Sequence, residues 1–194
     1  MGDLRLSRRR MLGAGAAGAL GVLMAPQAVL ARDEVGNLRW DLVAVGGGAV
    51  VPTGADVATD ASSGDTVTLT GSGFARPDEG KAGGGGTFVH RQADGSEVAH
   101  GVFVVTGFNS FKNGGGSLAG TGLTDTIGKL KQTTGGALSL NIRVAGAPVT
   151  AVFEIHCSLP GSQPDKEGVR LVVEQFGLDF TQTSGATLFH VLED

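Results

Sequence analysis

Short runs of Val, Thr, Phe, Ile and Leu, cut apart by clusters of glycine, constrain this chain more than any other feature. Its 194 residues include 34 glycines. Clusters stand at 46–48, 83–86, 114–116 and 135–136. Glycine inside a regular element costs backbone entropy, so such clusters are expected in turns, bulges and loops. The residues between them are those that fit a pleated surface. Eight candidate strands follow: residues 38–45, 66–71, 87–91, 97–106, 137–144, 150–158, 169–176 and 186–192. In the fifth, Leu138, Leu140, Ile142 and Val144 alternate with Ser139, Asn141 and Arg143. In the sixth, Phe153, Ile155, Cys157 and Leu159 alternate with Glu154, His156 and Ser158. A period of two means one buried and one wet face, as in antiparallel sheets. Ala93-Asp94-Gly95-Ser96 supplies the turn of a tight hairpin. Only residues 124–131 invite a helical reading, against their Gly and β-branched content. The expected architecture is all-β: a single antiparallel β-sandwich or small β-barrel of about seven to nine strands with Gly-rich loops.

The first 31 residues have a different character. Arg5, Arg8, Arg9 and Arg10 precede a weakly apolar, Gly- and Ala-rich stretch that reaches Met24, and Ala28-Val29-Leu30-Ala31 closes it with a cleavage-site pattern. The run Ser7-Arg8-Arg9-Arg10-Met11-Leu12 resembles the consensus of twin-arginine (Tat) signal peptides, with Met11 where that consensus usually has Phe. The resemblance, carried by Ser7, Arg8, Arg9, Met11 and Leu12, implies export in the folded state by the Tat translocase and cleavage after Ala31. It predicts a cleaved signal over 1–31, one domain over 32–194, and a secreted or periplasmic location. The apolar stretch is too short to span a bilayer, and no Cys follows it to carry a lipid, so no membrane anchor is expected.

The chain carries 15 Lys and Arg against 19 Asp and Glu; without residues 1–31, which hold four arginines and one aspartate, it is more acidic still. That balance argues against nucleic acid and anionic membranes as partners, since both reward clustered basic residues. Cys157 is the only cysteine, so no intramolecular disulfide forms, and its place in an apolar strand pattern predicts a buried, inert thiol.

Familiar catalytic signatures are missing. The chain has no His-Glu-x-x-His, no paired Cys-x-x-Cys and no Gly-x-Ser-x-Gly. The stretch 122–129 has the wrong spacing for a phosphate loop, and no helix is expected after glycines 83–86 to bind a dinucleotide. Four histidines remain. His90 and His100 lie in the two arms of the hairpin, and Glu154 and His156 share one face of a strand. Glu154 could hold His156 in one tautomer for acid–base work, which makes these two the weak catalytic candidates. Approach of His90 or His100 to Glu154 and His156 would assemble a Zn or Cu site. His190, four residues from the end, is expected at the surface. The phenylalanines at 88, 103, 108, 111, 153, 176, 180 and 189 fill a core or line a cavity for a hydrophobic ligand. Trp40 is either a core anchor or a rim contact.

Three functions compete on these grounds. The first is an extracytoplasmic binding or structural module with no cofactor and a protein or glycan partner. The second is a small β-barrel carrier, or a cofactor-independent cyclase or isomerase, for a hydrophobic small molecule. Here the predicted shape resembles lipocalin-like, dirigent-like and allene oxide cyclase-like barrels, of whose motifs none is present. The third is a metal-binding protein built on His90, His100, Glu154 and His156. The sequence leaves the oligomeric state open.

Overall fold

The structure, a computed structural model, describes residues 35–163 and 166–193. The residues of the predicted export signal and its cleavage site, including Ser7, Arg8, Arg9, Met11, Leu12 and Ala31, lie outside the described residues. Among the described residues there are twelve strands and three short 3-10 turns. The strands are β1 (Asn37–Gly46), β2 (Ala49–Val51), β3 (Asp56–Asp60), β4 (Thr66–Arg76), β5 (Lys81–Arg91), β6 (Glu97–Gly115), β7 (Thr124–Asp125), β8 (Thr133–Val144), β9 (Thr150–Cys157), β10 (Gly168–Val173), β11 (Leu178–Ser184) and β12 (Ala186–Leu192).

Eight of these strands close a ring. The pairing runs β6–β5–β4–β3–β11–β10–β9–β8 and returns to β6 through a β6–β8 ladder, every step antiparallel. At the other end β1 and β12 take over: Leu38 to Asp41 of β1 face Ala75 to Ser72 of β4, while Phe189 and His190 of β12 face Thr134 and Thr133 of β8. Long strands β4, β5, β6 and β8 are therefore shared by an eight-stranded ring at one end and a six-stranded ring at the other. Closure removes the unpaired edges that an open sheet would present.

The interior follows the period-two pattern. Leu138, Leu140 and Ile142 of β8 and Phe153, Ile155 and Cys157 of β9 are all buried. Trp40, fully buried, is a core anchor. It meets Phe153 edge-on with ring centroids 6.1 Å apart, and Phe153 meets Phe103 in the same way at 5.6 Å. Edge-to-face pairs of this kind add to the stabilisation from burial alone.

Several expectations are corrected. Glycines 83–86 and 135–136 lie within β5 and β8, not in loops. A Cβ on Gly86 would overlap the Thr70 carbonyl, one on Gly85 the Phe103 carbonyl, and one on Gly73 would sit 2.7 Å from the Trp40 ring. Glycine is required here by close approach between neighbouring strands and by the indole laid across β4. Residues 124–131 form no helix. Thr124 and Asp125 pair in parallel with β2, and the Asp125 carboxylate accepts the N–H groups of Ile127 and Gly128 at 2.8 and 3.1 Å. An Asx turn of this kind competes with helical hydrogen bonding. The predicted strand 169–176 ends at Val173, and Glu174–Phe176 is a 3-10 turn. Strands β2, β3, β7 and β11 were not expected.

His190 is also corrected, from surface to a relative exposure of 1%. The segment 117–132 crosses the outer face of β1 and β12, and Asp125 of that segment reaches His190 Nε2 at 2.7 Å. Strands β1 and β12 are thus covered on both faces, which explains why apolar and polar residues alike are buried along them.

If strand-to-strand approach dictates these glycines, Gly86→Ala destabilises the fold by about 3 kcal/mol through overpacking. Gly46→Ala, where a Cβ meets nothing within 4 Å, stays within about 0.5 kcal/mol of the natural chain. Urea unfolding followed by the emission of Trp40, the sole tryptophan, separates the two.

Candidate functional site

The eight-stranded end of the barrel encloses a cavity of about 340 Å³. Inward side chains of Val67 and Leu69 (β4), Phe88 (β5), Phe103 (β6), Ile142 (β8) and Leu171 (β10) form its wall. Phe176 and the β8–β9 turn at 145–147 stand at its rim, Phe176 with 64% of its surface exposed. Interior positions end in a cavity here because small residues face one another: Gly101 and Ala99 on β6, Ala151 on β9. A barrel of eight strands is just wide enough for its side chains to fill it or to leave room for one small ligand.

Of the two histidines on the lining, His90 and His100, one turns its imidazole into the apolar wall. His90 of β5 faces inward between Phe88 and the buried Phe180, whose ring it meets edge-on at 5.5 Å. Its Nε2 lies 2.9 Å from Asp65 Oδ2. Asp65 is held by the β3–β4 turn, whose own organiser is Asp60. The Asp60 carboxylate accepts the N–H groups of Ser62 and Ser63 at 2.9 Å each and, across the barrel wall, that of Asp179 at 2.7 Å. With the Ser62 hydroxyl donating to it as well, the Asp60 carboxyl is held well below the usual carboxylate range. The turn closes with the Asp60 N–H on the Asp65 carbonyl at 2.9 Å and Gly64 at positive φ. Asp65 thus reaches His90 from a braced loop.

The structure does not bring the four predicted site residues together. In the hairpin, His90 lies opposite Ala99 while Val89 lies opposite His100, so the two histidines take opposite faces. His100 points outward, its side chain 74% exposed, with Nδ1 2.7 Å from Glu97. Glu154 and His156 share the outer face of β9, as expected, with 3.8 Å between Oε2 and Nε2. Glu154 is also engaged by Arg170, 3.3 Å away, which grips Asp179 through two bonds of 2.8 and 2.7 Å. Glu154 therefore joins a network of ion pairs on the barrel exterior. Burial lowers the His156 pKa, partly opposed by Glu154. Among the described residues, no group of three or more His, Cys, Asp and Glu is placed to hold a metal ion.

Cys157 is buried, donates to the Thr187 carbonyl at 3.4 Å, and has its pKa pushed up to about 12 by that burial. A thiol so placed is a poor nucleophile.

Sequence reasoning missed Asp65, and it missed two further acids, the buried Asp56 and the half-buried Glu167. Asp56 of β3 is fully buried, with Oδ1 unpartnered and Oδ2 3.5 Å from Gln182 Nε2. Burial pushes its pKa up to about 7, against the Ala186 N–H and with the help of Glu167. Glu167, also raised by burial, accepts the N–H groups of Ser158 and Thr187 at 2.6 Å each. The signal for Asp56 was its position two and four residues before Ala58 and Asp60, on one face of a strand, in a segment whose acidic ends disguise the pattern.

No protein-family model, curated protein sequence or solved structure matches the chain.

The two deep acids make stability depend on pH. Between the ordinary carboxylate range and about pH 7, folded Asp56 keeps a proton that the unfolded chain has released. Stability therefore falls as pH rises through that window, and the penalty is full above about 7. Asp56→Asn removes the charge; it stabilises the fold by about 2 kcal/mol at pH 8 and has little effect at pH 5. Thermal melts of both proteins at the two pH values check this.

Proposed function

We propose that this protein binds a small apolar molecule in the mouth of its barrel and acts as a binder or carrier of it. The observation that carries the reading is the cavity of about 340 Å³, lined mostly by apolar residues, with His90, His100 and Thr150 as its polar members. Ligand sites are concave, mostly apolar and furnished with a few placed polar groups, at volumes from about 300 to 1,000 Å³. A cavity of about 150 Å³ lined by apolar groups holds benzene, so this one suits a molecule of roughly twelve non-hydrogen atoms. Phe176, raised on a 3-10 turn at the rim, is a large apolar side chain in the path of entry.

The twin-arginine pattern of residues 7–12 supports a place for this binding outside the cytoplasm. Export through the Tat translocase carries the domain already folded. An acidic balance of charge keeps such a domain away from anionic surfaces.

Naphthalene is a fitting probe. Its fluorescence titration against the full chain is expected to saturate with a Kd on the order of 10–100 µM. Ala151→Phe places a ring in the cavity and weakens that binding at least ten-fold while the protein still melts cooperatively. Val102→Ser, on the exposed outer face of β6, leaves it unchanged. Absence of saturable binding, or equal loss in both variants, would contradict the reading.

A further inference from the structure

We propose that the ligand of the barrel mouth is a small neutral molecule bearing a hydroxyl group, an alcohol or phenol, and that His90 selects it by accepting that hydroxyl. The inference rests on the cavity being a ligand site, and adds which chemistry the site prefers. A carboxylate offers acceptors only, so the His90 nitrogen facing Asp65 at 2.9 Å carries the proton. The neutral ring is thereby fixed as the Nε2–H tautomer, and Nδ1 is left with a lone pair. Among the described residues Nδ1 takes no hydrogen-bond partner, yet it is not one of the polar atoms sealed from solvent without a partner, as the Nδ1 atoms of His156 and His190 are. It is open to a guest.

The other polar residues on the lining, His100 and Thr150, are exposed and engaged elsewhere: His100 Nδ1 lies 2.7 Å from Glu97, and the Thr150 hydroxyl accepts from Gln175 at 3.0 Å. A ligand donor inside the cavity therefore finds its acceptor at His90. A ligand whose polar group only accepts finds no donor there while the ring is neutral. A carboxylate ligand would bring its charge towards Asp65, and like charges at short range repel. The braced β3–β4 turn makes this a fixed preference, because Asp65 is positioned by Asp60 and not by the guest. Asp65 acts through His90 and is a positioning residue.

The test compares four probes of one ring system on the full chain at pH 8: naphthalene, 2-naphthol, 2-methoxynaphthalene and 2-naphthoate. The expected result is 2-naphthol bound about five- to ten-fold more tightly than naphthalene or 2-methoxynaphthalene, and 2-naphthoate most weakly. His90→Phe abolishes the preference for the hydroxyl: on that variant 2-naphthol binds no more tightly than naphthalene. Asp65→Asn releases the tautomer and reduces the hydroxyl preference several-fold, read as the ratio of 2-naphthol to naphthalene affinity on that variant. If none of the four binds, the cavity reading fails and this inference with it. If all four bind alike, the cavity stands and the assignment to His90 and Asp65 is overturned. Should His90→Phe fail to melt cooperatively, the probe ranking on the natural chain and on Asp65→Asn decides the matter.

Discussion

The β6–β8 ladder is the interaction on which the rest of this protein depends. It joins the first and last strands of an eight-strand succession, from Phe103 opposite Val144 to Gly115 opposite Gly135, with three register shifts along the way. Without it the strands would form an open sheet with two long edges, and the apolar faces of β4, β8, β9 and β10 would have nothing to enclose. With it, alternate residues of every strand are committed to one interior. The register shifts let a 19-residue strand bend around that interior, since each bulge adds local twist. The glycines of β4 and β5 do the complementary task, allowing backbones and the Trp40 ring to come closer than any Cβ permits.

Closure divides the interior into regions of different chemistry. The middle is filled by Phe103, Phe153, Leu69, Leu140 and Ile155. One end is left hollow and mostly apolar, with the inward imidazole of His90 held by Asp65. Deeper, where β3, β9, β10 and β12 converge, Asp56 and Glu167 sit among backbone donors; burial raises the affinity of both for protons, and Glu167 raises that of Asp56 further. Both carboxyls detract from stability once ionised, so they bear on pH dependence and not on packing. At the six-stranded end the histidine–aspartate pair of His190 and Asp125 is covered on all sides, and the chemistry it could offer a ligand is spent on fastening the segment 117–132 to the barrel.

The fold class was legible in the sequence because alternation in β8 and β9 is strong and helical periodicity is weak. The hairpin turn at Asp94-Gly95 was legible for a local reason, the positive φ that Gly95 adopts. Strand β3 was hidden because its inward residues include Asp56 and Asp60, which read as solvent-facing in any pattern based on hydrophobicity. Strand β11 offers Phe180 as its one buried large side chain, too little for a periodic signal. The intra-strand glycines misled because a glycine needed for close approach looks, in sequence, like one needed for a turn. His90 was visible as a candidate, but its true partner was not: Asp65 lies 25 residues away along the chain, brought near by a turn whose hydrogen bonds centre on Asp60. Glu154 and His156 were rightly placed on one face, and that face is the exterior.

A guest seated in the hollow at the eight-stranded end perturbs the methyl groups around it, and methyl chemical-shift mapping reads that perturbation residue by residue. With Ile, Leu and Val methyl groups labelled and naphthalene added, shifts are expected to concentrate at Val67, Leu69, Ile142, Val144, Leu171 and Leu178, with Leu38, Leu42 and Leu188 near the other end unmoved. Shifts at the exterior residues Val98 and Val102 in place of these, or no saturable shift anywhere, would contradict binding in the hollow.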